Sequence, residues 1–96
     1  MPEVSEKLSR ARTIAEEALR SHGLSAKGWT FAWDRARNRF GCCDFNRKRI
    51  TLSRPLSILN DDAQIHDTIL HEIAHALAGP KAGHGPLWIA ACRRVG

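Results

Sequence analysis

The sequence predicts an α+β domain, because two kinds of hydrophobic periodicity occupy separate parts of a short chain. Apolar residues recur at helical spacing in residues 4–22 and again in residues 61–78, which indicates two amphipathic helices. Between them, residues 29–53 alternate apolar and polar side chains, a pattern typical of half-buried strands. A chain of 96 residues can build one core but not two, so we expect a single domain over residues 1–96.

Composition and cysteine content narrow the class of protein. Hydrophobic residues make up 43% and charged residues 26% of the chain, as in ordinary globular proteins. No apolar run approaches the roughly 20 residues that a membrane-spanning helix needs, and the charged N-terminus does not resemble a signal peptide. The three cysteines, Cys42, Cys43 and Cys92, form no C-x-x-C pair, so we expect reduced thiols. These observations predict a cytoplasmic protein that has no membrane partner.

The first helix is predicted from Val4 to about His22, where Gly23 can terminate it. Charged side chains occupy the face opposite its apolar stripe, and none of them suggests chemistry. We therefore assign this N-terminal helix a packing role.

Three strands are predicted to follow the first helix. Trp29, Phe31 and Trp33 share one face of the first strand, which favours a sheet core over a base-stacking platform for nucleic acid. Residues 39–45 and 49–53 form the second and third strands, each after a short polar turn. Because the strands are closely spaced, we expect a three-stranded antiparallel sheet.

The central helix is predicted over residues 61–78. Asn60 or Asp61 can cap its N-terminus, and Gln64 stands in the reciprocal position of a capping box that begins at Asp61. The Gly-Pro pair at 79–80 ends it, because glycine accepts a left-handed cap and proline cannot continue the helix. The apolar stripe of this helix consists of Ile65, Ile69, Leu70, Ile73, Ala74 and Leu77.

This central helix carries the motif HExxH. His71 and His75 lie one turn apart on the same helix face, so both imidazoles can reach one metal ion. Glu72 directly follows the first histidine, so its carboxylate points beside the ion and can take a proton from a metal-bound water. The motif predicts a zinc hydrolase. The alternative is a core helix whose surface histidines are a coincidence.

A third histidine follows in a loop rich in glycine and proline. His84 lies nine residues after His75, and Pro86 suits the first position of a C-terminal helix. Catalytic zinc generally takes three protein ligands and leaves one position for water. We therefore predict that His71, His75 and His84 bind one zinc ion, with a solvated surface histidine as the alternative for His84.

The predicted chemistry is metal-assisted hydrolysis of an amide bond. Zinc would lower the pKa of its water toward about 7 and polarise the carbonyl, while Glu72 would move the proton to the leaving amine. Asp67 precedes His71 by one turn and either orients that imidazole or contributes only helix charge. The predicted strand at residues 49–53 is a candidate edge on which an extended peptide substrate could pair.

Three segments together match the pattern of a known family. They are Arg49–Ser53 (RITLS), Leu70–Leu77 (LHEIAHAL) and His84–Trp88 (HGPLW). Together they give an HExxH motif followed by HG-P-x-W. Over nearly its whole length the chain resembles the SprT-like zinc metallopeptidase domain of the zincin class. The resemblance implies a small zincin-like α+β fold, in which the three histidines bind zinc and Glu72 is the general base.

The resemblance also implies a zinc metalloendopeptidase that acts on a protein or peptide substrate. Some members, the Spartan-type enzymes, bind DNA and cleave proteins crosslinked to it. This sequence differs from many members, because only eight residues separate the second and third histidines and the cysteines of a zinc ribbon are absent. It also contains no tyrosine, so no phenol can stabilise an oxyanion.

Binding of nucleic acid therefore depends on the domain's own basic turns. The formal net charge is +5, and the sequence pI is near 9.7. Such a surface either attracts polyanions weakly, in a salt-dependent way, or is simply solvated. Apart from a peptidase, the sequence leaves open a catalytically inactive metal-binding module that interacts with a partner. The basic residues of the turns are Arg35, Arg37, Arg39, Arg47, Lys48, Arg49 and Arg54.

Overall fold

The computed structural model describes residues 2–96, so Met1 of the predicted domain lies outside the described residues. Four α-helices and three strands occupy the described part of the chain. This combination confirms the predicted α+β class. A short 3-10 turn, Ser25–Lys27, separates the first helix from the first strand. The elements are α1 (Pro2–Ser21), β1 (Thr30–Asp34), β2 (Gly41–Asp44), β3 (Arg49–Ser53), α2 (Arg54–Leu59), α3 (Asp62–Ala78) and α4 (Pro86–Val95).

The sheet is mixed, so the prediction of an antiparallel sheet is wrong. Its strand order is β1-β3-β2, with β3 parallel to β1 and antiparallel to β2. The third strand takes the centre because its apolar residues Ile50 and Leu52 are both 0% exposed, whereas no residue of β2 is fully buried. Since β3 is paired along both sides, the interpretation of residues 49–53 as a free edge for a peptide is also wrong.

The loop between β1 and β2 explains the parallel pairing. Residues 35–40 pass over the C-terminal end of β3 instead of forming a hairpin. Ser53, the last residue of β3, donates from its backbone nitrogen to the Phe40 carbonyl (2.7 Å) and from Oγ to the Ala36 carbonyl (2.6 Å). The loop therefore places β2 one strand further from β1 and leaves room for β3 between them.

The core lies between the sheet and the two long helices, α1 and α3. Helix α3 buries Ile65, Ile69 and Ile73, as its predicted apolar stripe requires. Isolated strands of this length do not hold together in water, so the sheet depends on this cover. The other buried hydrophobic residues of the core are Ala11, Ala15, Leu19, Leu24, Trp29, Phe31, Ile50 and Leu52.

Both ends of α3 are fixed by local interactions. Asp61 accepts a hydrogen bond from the Gln64 backbone (2.8 Å), and the Asp61 backbone donates to the Gln64 side chain (3.4 Å). Of the two residues proposed as the cap, Asp61 is therefore the one that the structure uses. At the other end Gly79 ends the helix as predicted, but with φ of 100° and ψ of 163° it adopts an extended conformation that favours glycine and not the predicted left-handed cap. The register of the HExxH motif is thus set by residues within α3 and at its ends.

Within residues 2–96, no helix is long and apolar enough to cross a membrane. All three cysteines in the described part of the chain are free and partly buried, as predicted. The zincin-like character implied by the resemblance and the boundaries of a single domain stay predictions.

Leu52→Ala should lower the free energy of unfolding by about 2–5 kcal/mol, because it leaves a cavity in the centre of the sheet. Leu59→Ala is the matched control, since Leu59 is 79% exposed and its loss should cost less than about 0.5 kcal/mol. Urea unfolding followed by circular dichroism measures both variants. Equal losses of stability in the two variants would contradict the central position of β3.

Candidate metal centre

The structure brings the three predicted histidines together. One ring nitrogen of each of His71, His75 and His84 lies within 4.8 Å of the corresponding nitrogens of the other two. His75 Nε2 and His71 Nε2 lie 3.1 Å apart. The pair comes from consecutive turns of α3, and His84 joins it because the loop after Gly79 folds back before α4 begins. Three convergent imidazoles from these two elements could hold one metal ion.

The electrostatics of the cluster favour neutral imidazoles. Burial lowers the pKa of His71, and the neighbouring His84 lowers it further. The pKa of His75 is lowered by burial and then by the two other histidines. Because a metal ion binds the neutral imidazole, these shifts reduce the competition from protons at neutral pH.

Glu72 is the buried polar residue beside this cluster. Glu72 is 7% exposed. No residue within the range 2–96 donates a hydrogen bond to its carboxylate. Burial raises the pKa of Glu72 to about 7. A carboxylate that is desolvated without a compensating donor is costly for the fold and is typical of functional sites.

Gly41, the first residue of β2, allows the strand to approach this carboxylate closely. A Cβ atom at Gly41 would lie 2.9 Å from Thr68 Cγ2 and 3.2 Å from Glu72 Oε2, closer than side chains normally pack. The sequence analysis did not assign Gly41 to the site. A glycine within a strand often marks such a close approach, so the signal was present in the sequence.

Trp88 is a second residue of the site that was not predicted to contact the histidines, although it ends the HG-P-x-W motif. Its ring centroid lies 5.2 Å from that of His71, 5.5 Å from His75 and 4.5 Å from His84. Its Nε1 is buried and has no hydrogen-bond partner in the described part of the protein. The indole is therefore held by packing, and it forms a wall against all three imidazoles.

Two open clefts adjoin the cluster. One, of about 370 Å³, contains Glu72, and the other, of about 210 Å³, lies between α3 and α4 and is mainly apolar. Asp67 lines both clefts but is exposed and makes no hydrogen bond with His71 within the described residues, so helix charge remains the simpler interpretation of Asp67. The first cleft is lined by Phe40, Gly41, Asp67, Thr68, His71 and Glu72, and the second by Asp67, Leu70, His71, Trp88, Cys92, Val95 and Gly96.

The neighbouring thiols are poorly suited to metal binding or nucleophilic attack. Burial raises the pKa of Cys43 to about 12, and the charge of Glu72 contributes in the same direction. Burial also raises the pKa of Cys42. Both thiols therefore stay protonated at neutral pH, and the metal-ligating thiolate form is disfavoured.

Comparison with known proteins identifies one related family. A model described as the SprT-like family matches residues 6–96 of the chain. A search of curated proteins and of solved structures finds no significant match. The matched region contains every residue of the candidate metal centre, from Gly41 to Trp88.

The metal-free protein should lose stability as the pH rises through the range in which Glu72 ionises. The folded-state pKa is raised from 4.5 to about 7, so the penalty for burying the charge is absent below pH 4.5 and complete above pH 7. Glu72→Gln should abolish this pH-dependent loss of folding stability, which amounts to at most about 3 kcal/mol.

Urea unfolding of both proteins in the presence of a chelator, at several pH values between 4.5 and 8, measures the difference. Titration of His71 and His75 occurs in both proteins, so most of its contribution cancels in that difference. A difference that does not change with pH would show that the Glu72 carboxylate is not desolvated in the folded protein.

Proposed function

The chain belongs to the SprT-like family, and from that premise we propose that it is a zinc-dependent metallopeptidase with Glu72 as the general base. The family is associated with zinc metallopeptidases. The observation that carries the proposal is the pairing of three convergent imidazoles with a buried carboxylate whose pKa is raised to about 7. A structural metal site does not require such a carboxylate, whereas hydrolysis does.

The donor set fits zinc. Imidazole nitrogens that bind zinc tetrahedrally at about 2.0 Å lie about 3.3 Å from one another. The 3.1 Å separation of the His71 and His75 nitrogens agrees with this value. His84 is exposed and lies on a loop, and its ring nitrogen lies within 4.8 Å of those of the pair. Three imidazole nitrogens leave a fourth position for water or substrate, as in catalytic zinc sites.

In the proposed mechanism the protein contributes a general base, three metal ligands and a strand edge along which the substrate aligns. A zinc ion held by His71, His75 and His84 would supply Lewis acidity toward the scissile carbonyl and the attacking water. A Glu72 carboxylate oxygen takes a proton from that water and delivers it to the leaving nitrogen. A base whose pKa lies near neutrality can perform both transfers. Trp88 keeps the three imidazoles packed on one side, which limits their motion during the reaction.

The open side of β2 is the best candidate for substrate alignment. In the described sheet β2 pairs only with β3, so its other edge retains free backbone groups. Gly41 brings this strand against Glu72. An extended peptide that adds to the edge of β2 would therefore pass close to the base, with main-chain hydrogen bonds providing affinity.

Two parts of the sequence interpretation go beyond this proposal. Action on DNA-associated proteins, and weak binding of nucleic acid through the basic turns, stay predictions. The catalytically inactive metal-binding module remains the competing function. The substitution of Glu72 described below separates it from a peptidase, because an inactive module has no use for the carboxylate.

Purified protein should contain about one equivalent of zinc, and this zinc should be lost in His71→Ala, His75→Ala and His84→Ala. His66→Ala is the matched control, since His66 is exposed on the same helix, outside the cluster. Atomic absorption measures the metal, and circular dichroism confirms that each variant is folded. Full zinc content in His84→Ala would contradict the proposed set of three ligands.

Glu72→Gln should retain zinc but lose proteolysis by at least about 100-fold, because the amide cannot accept the proton from the attacking water. Glu17→Gln, which changes an exposed carboxylate on α1, should have the activity of the unmodified protein. Cleavage of disordered protein and of a peptide library, with metal analysis of the same samples, measures both properties. Unchanged cleavage by Glu72→Gln would remove Glu72 as the base, and activity in neither Glu72→Gln nor the unmodified protein would favour the inactive module.

A further inference from the structure

Three arginines converge at the end of the sheet. Arg35 and Arg37 lie in the loop after β1, and Arg54 directly follows β3. Because β1 and β3 are parallel, their C-terminal ends lie at the same end of the sheet. With Pro55, the three arginines line a cleft of about 500 Å³. We call it the arginine cleft.

The charges of the arginine cleft are not neutralised within the protein. No hydrogen bond or ion pair involves the guanidinium groups of Arg35, Arg37 or Arg54 within residues 2–96. Asp34 is the adjacent acidic residue, but it accepts from Thr51 Oγ1 at 2.7 Å and contacts Arg39 at 3.5 Å. Like charges that face one cleft repel one another, and a bound anion would relieve that repulsion.

The arginine cleft and the candidate metal centre lie at the same end of the sheet, where residues 35–40 join β1 to β2. The loop that carries Arg35 and Arg37 ends at Phe40, whose carbonyl accepts from Ser53 at the start of α2. The next residue, Gly41, lies against Glu72 and opposes Leu52 in the sheet. Arg54 is therefore only two residues beyond the register partner of Gly41. An extended chain rises about 3.3 Å per residue, so about two residues of substrate would cover this interval along the strand direction.

We propose that the arginine cleft binds acidic side chains of the polypeptide substrate, a few residues from the bond to be cleaved. This inference rests on the proposed peptidase function and names its preferred substrate. Guanidinium groups bind carboxylates through paired, charge-assisted hydrogen bonds. Among the described residues that line the cleft none is aromatic, so the cleft lacks the aromatic rings on which bases commonly stack. The lining therefore favours an acidic peptide over nucleic acid.

Binding can be tested without turnover in zinc-loaded Glu72→Gln protein. A fluorescent peptide with three consecutive glutamates should bind at least about tenfold more tightly than its glutamine counterpart at low salt. Combined substitution of Arg35, Arg37 and Arg54 by glutamine should remove this difference. The matched control substitutes Arg47, Arg93 and Arg94, three exposed arginines outside the cleft, by glutamine and changes the net charge equally. Fluorescence anisotropy measures the affinities. Equal loss in both triple variants would show a general charge effect and overturn the inference.

Cleavage separates this inference from the proposed function. Wild-type protein should cleave the acidic peptide with a kcat/KM at least about tenfold above that for the glutamine peptide, and the cleft variant should cleave both equally. Equal cleavage of both peptides by the wild type would overturn only the acidic preference. Cleavage of neither would overturn the proposed function. A single-stranded oligonucleotide that binds through the three arginines, when the acidic peptide does not, would assign the cleft to nucleic acid instead.

Discussion

The burial of Glu72 is the constraint on which the rest of the structure depends. Glu72 follows Ile65 by seven residues, and at about 100° per residue the two side chains project in nearly the same direction from α3. The HExxH spacing thus places the acid on the core side, while His71 and His75 project away from the core. A helix that carries this motif must accept a carboxylate at the border of its hydrophobic stripe. The residues around Glu72 must therefore accommodate a buried carboxylate.

Two features of the fold allow this burial. Gly41 has no side chain where one would collide with Glu72, so β2 can cover the carboxylate without displacing it. The core beneath consists of fully buried isoleucines from α3 and β3, which stabilise the helix independently of residue 72. Burial of Glu72 lowers the stability of the metal-free protein above neutral pH, and it also produces the pKa near 7 that suits a base. Desolvation of Glu72 therefore accounts both for the loss of stability and for the pKa that suits a base.

The sequence is most informative where interactions are local and least informative where they are distant along the chain. The capping box at Asp61, the stop at Gly79 and the spacing of the HExxH motif act within a few residues, and the structure agrees with each. Strand order is a non-local property. The buried character of Ile50 and Leu52 suggests a central strand, but short spacing suggested a meander. A glycine within a strand signals a close approach, but that Gly41 approaches Glu72, and that Trp88 packs against the histidines, follows only from packing.

The mixed topology connects the separate parts of the candidate site. In an antiparallel meander β2 would be central, with both sides paired, and no free backbone edge would lie beside Glu72. With β3 in the centre, β2 becomes an edge strand beside Glu72. Because β1 is parallel to β3, the loop that follows β1 reaches the C-terminal end of β3. That loop carries Arg35 and Arg37 toward Arg54 and then leads into Gly41. One crossing of the chain over β3 thus places the free edge of β2 beside Glu72 and brings the three arginines together at the same end of the sheet.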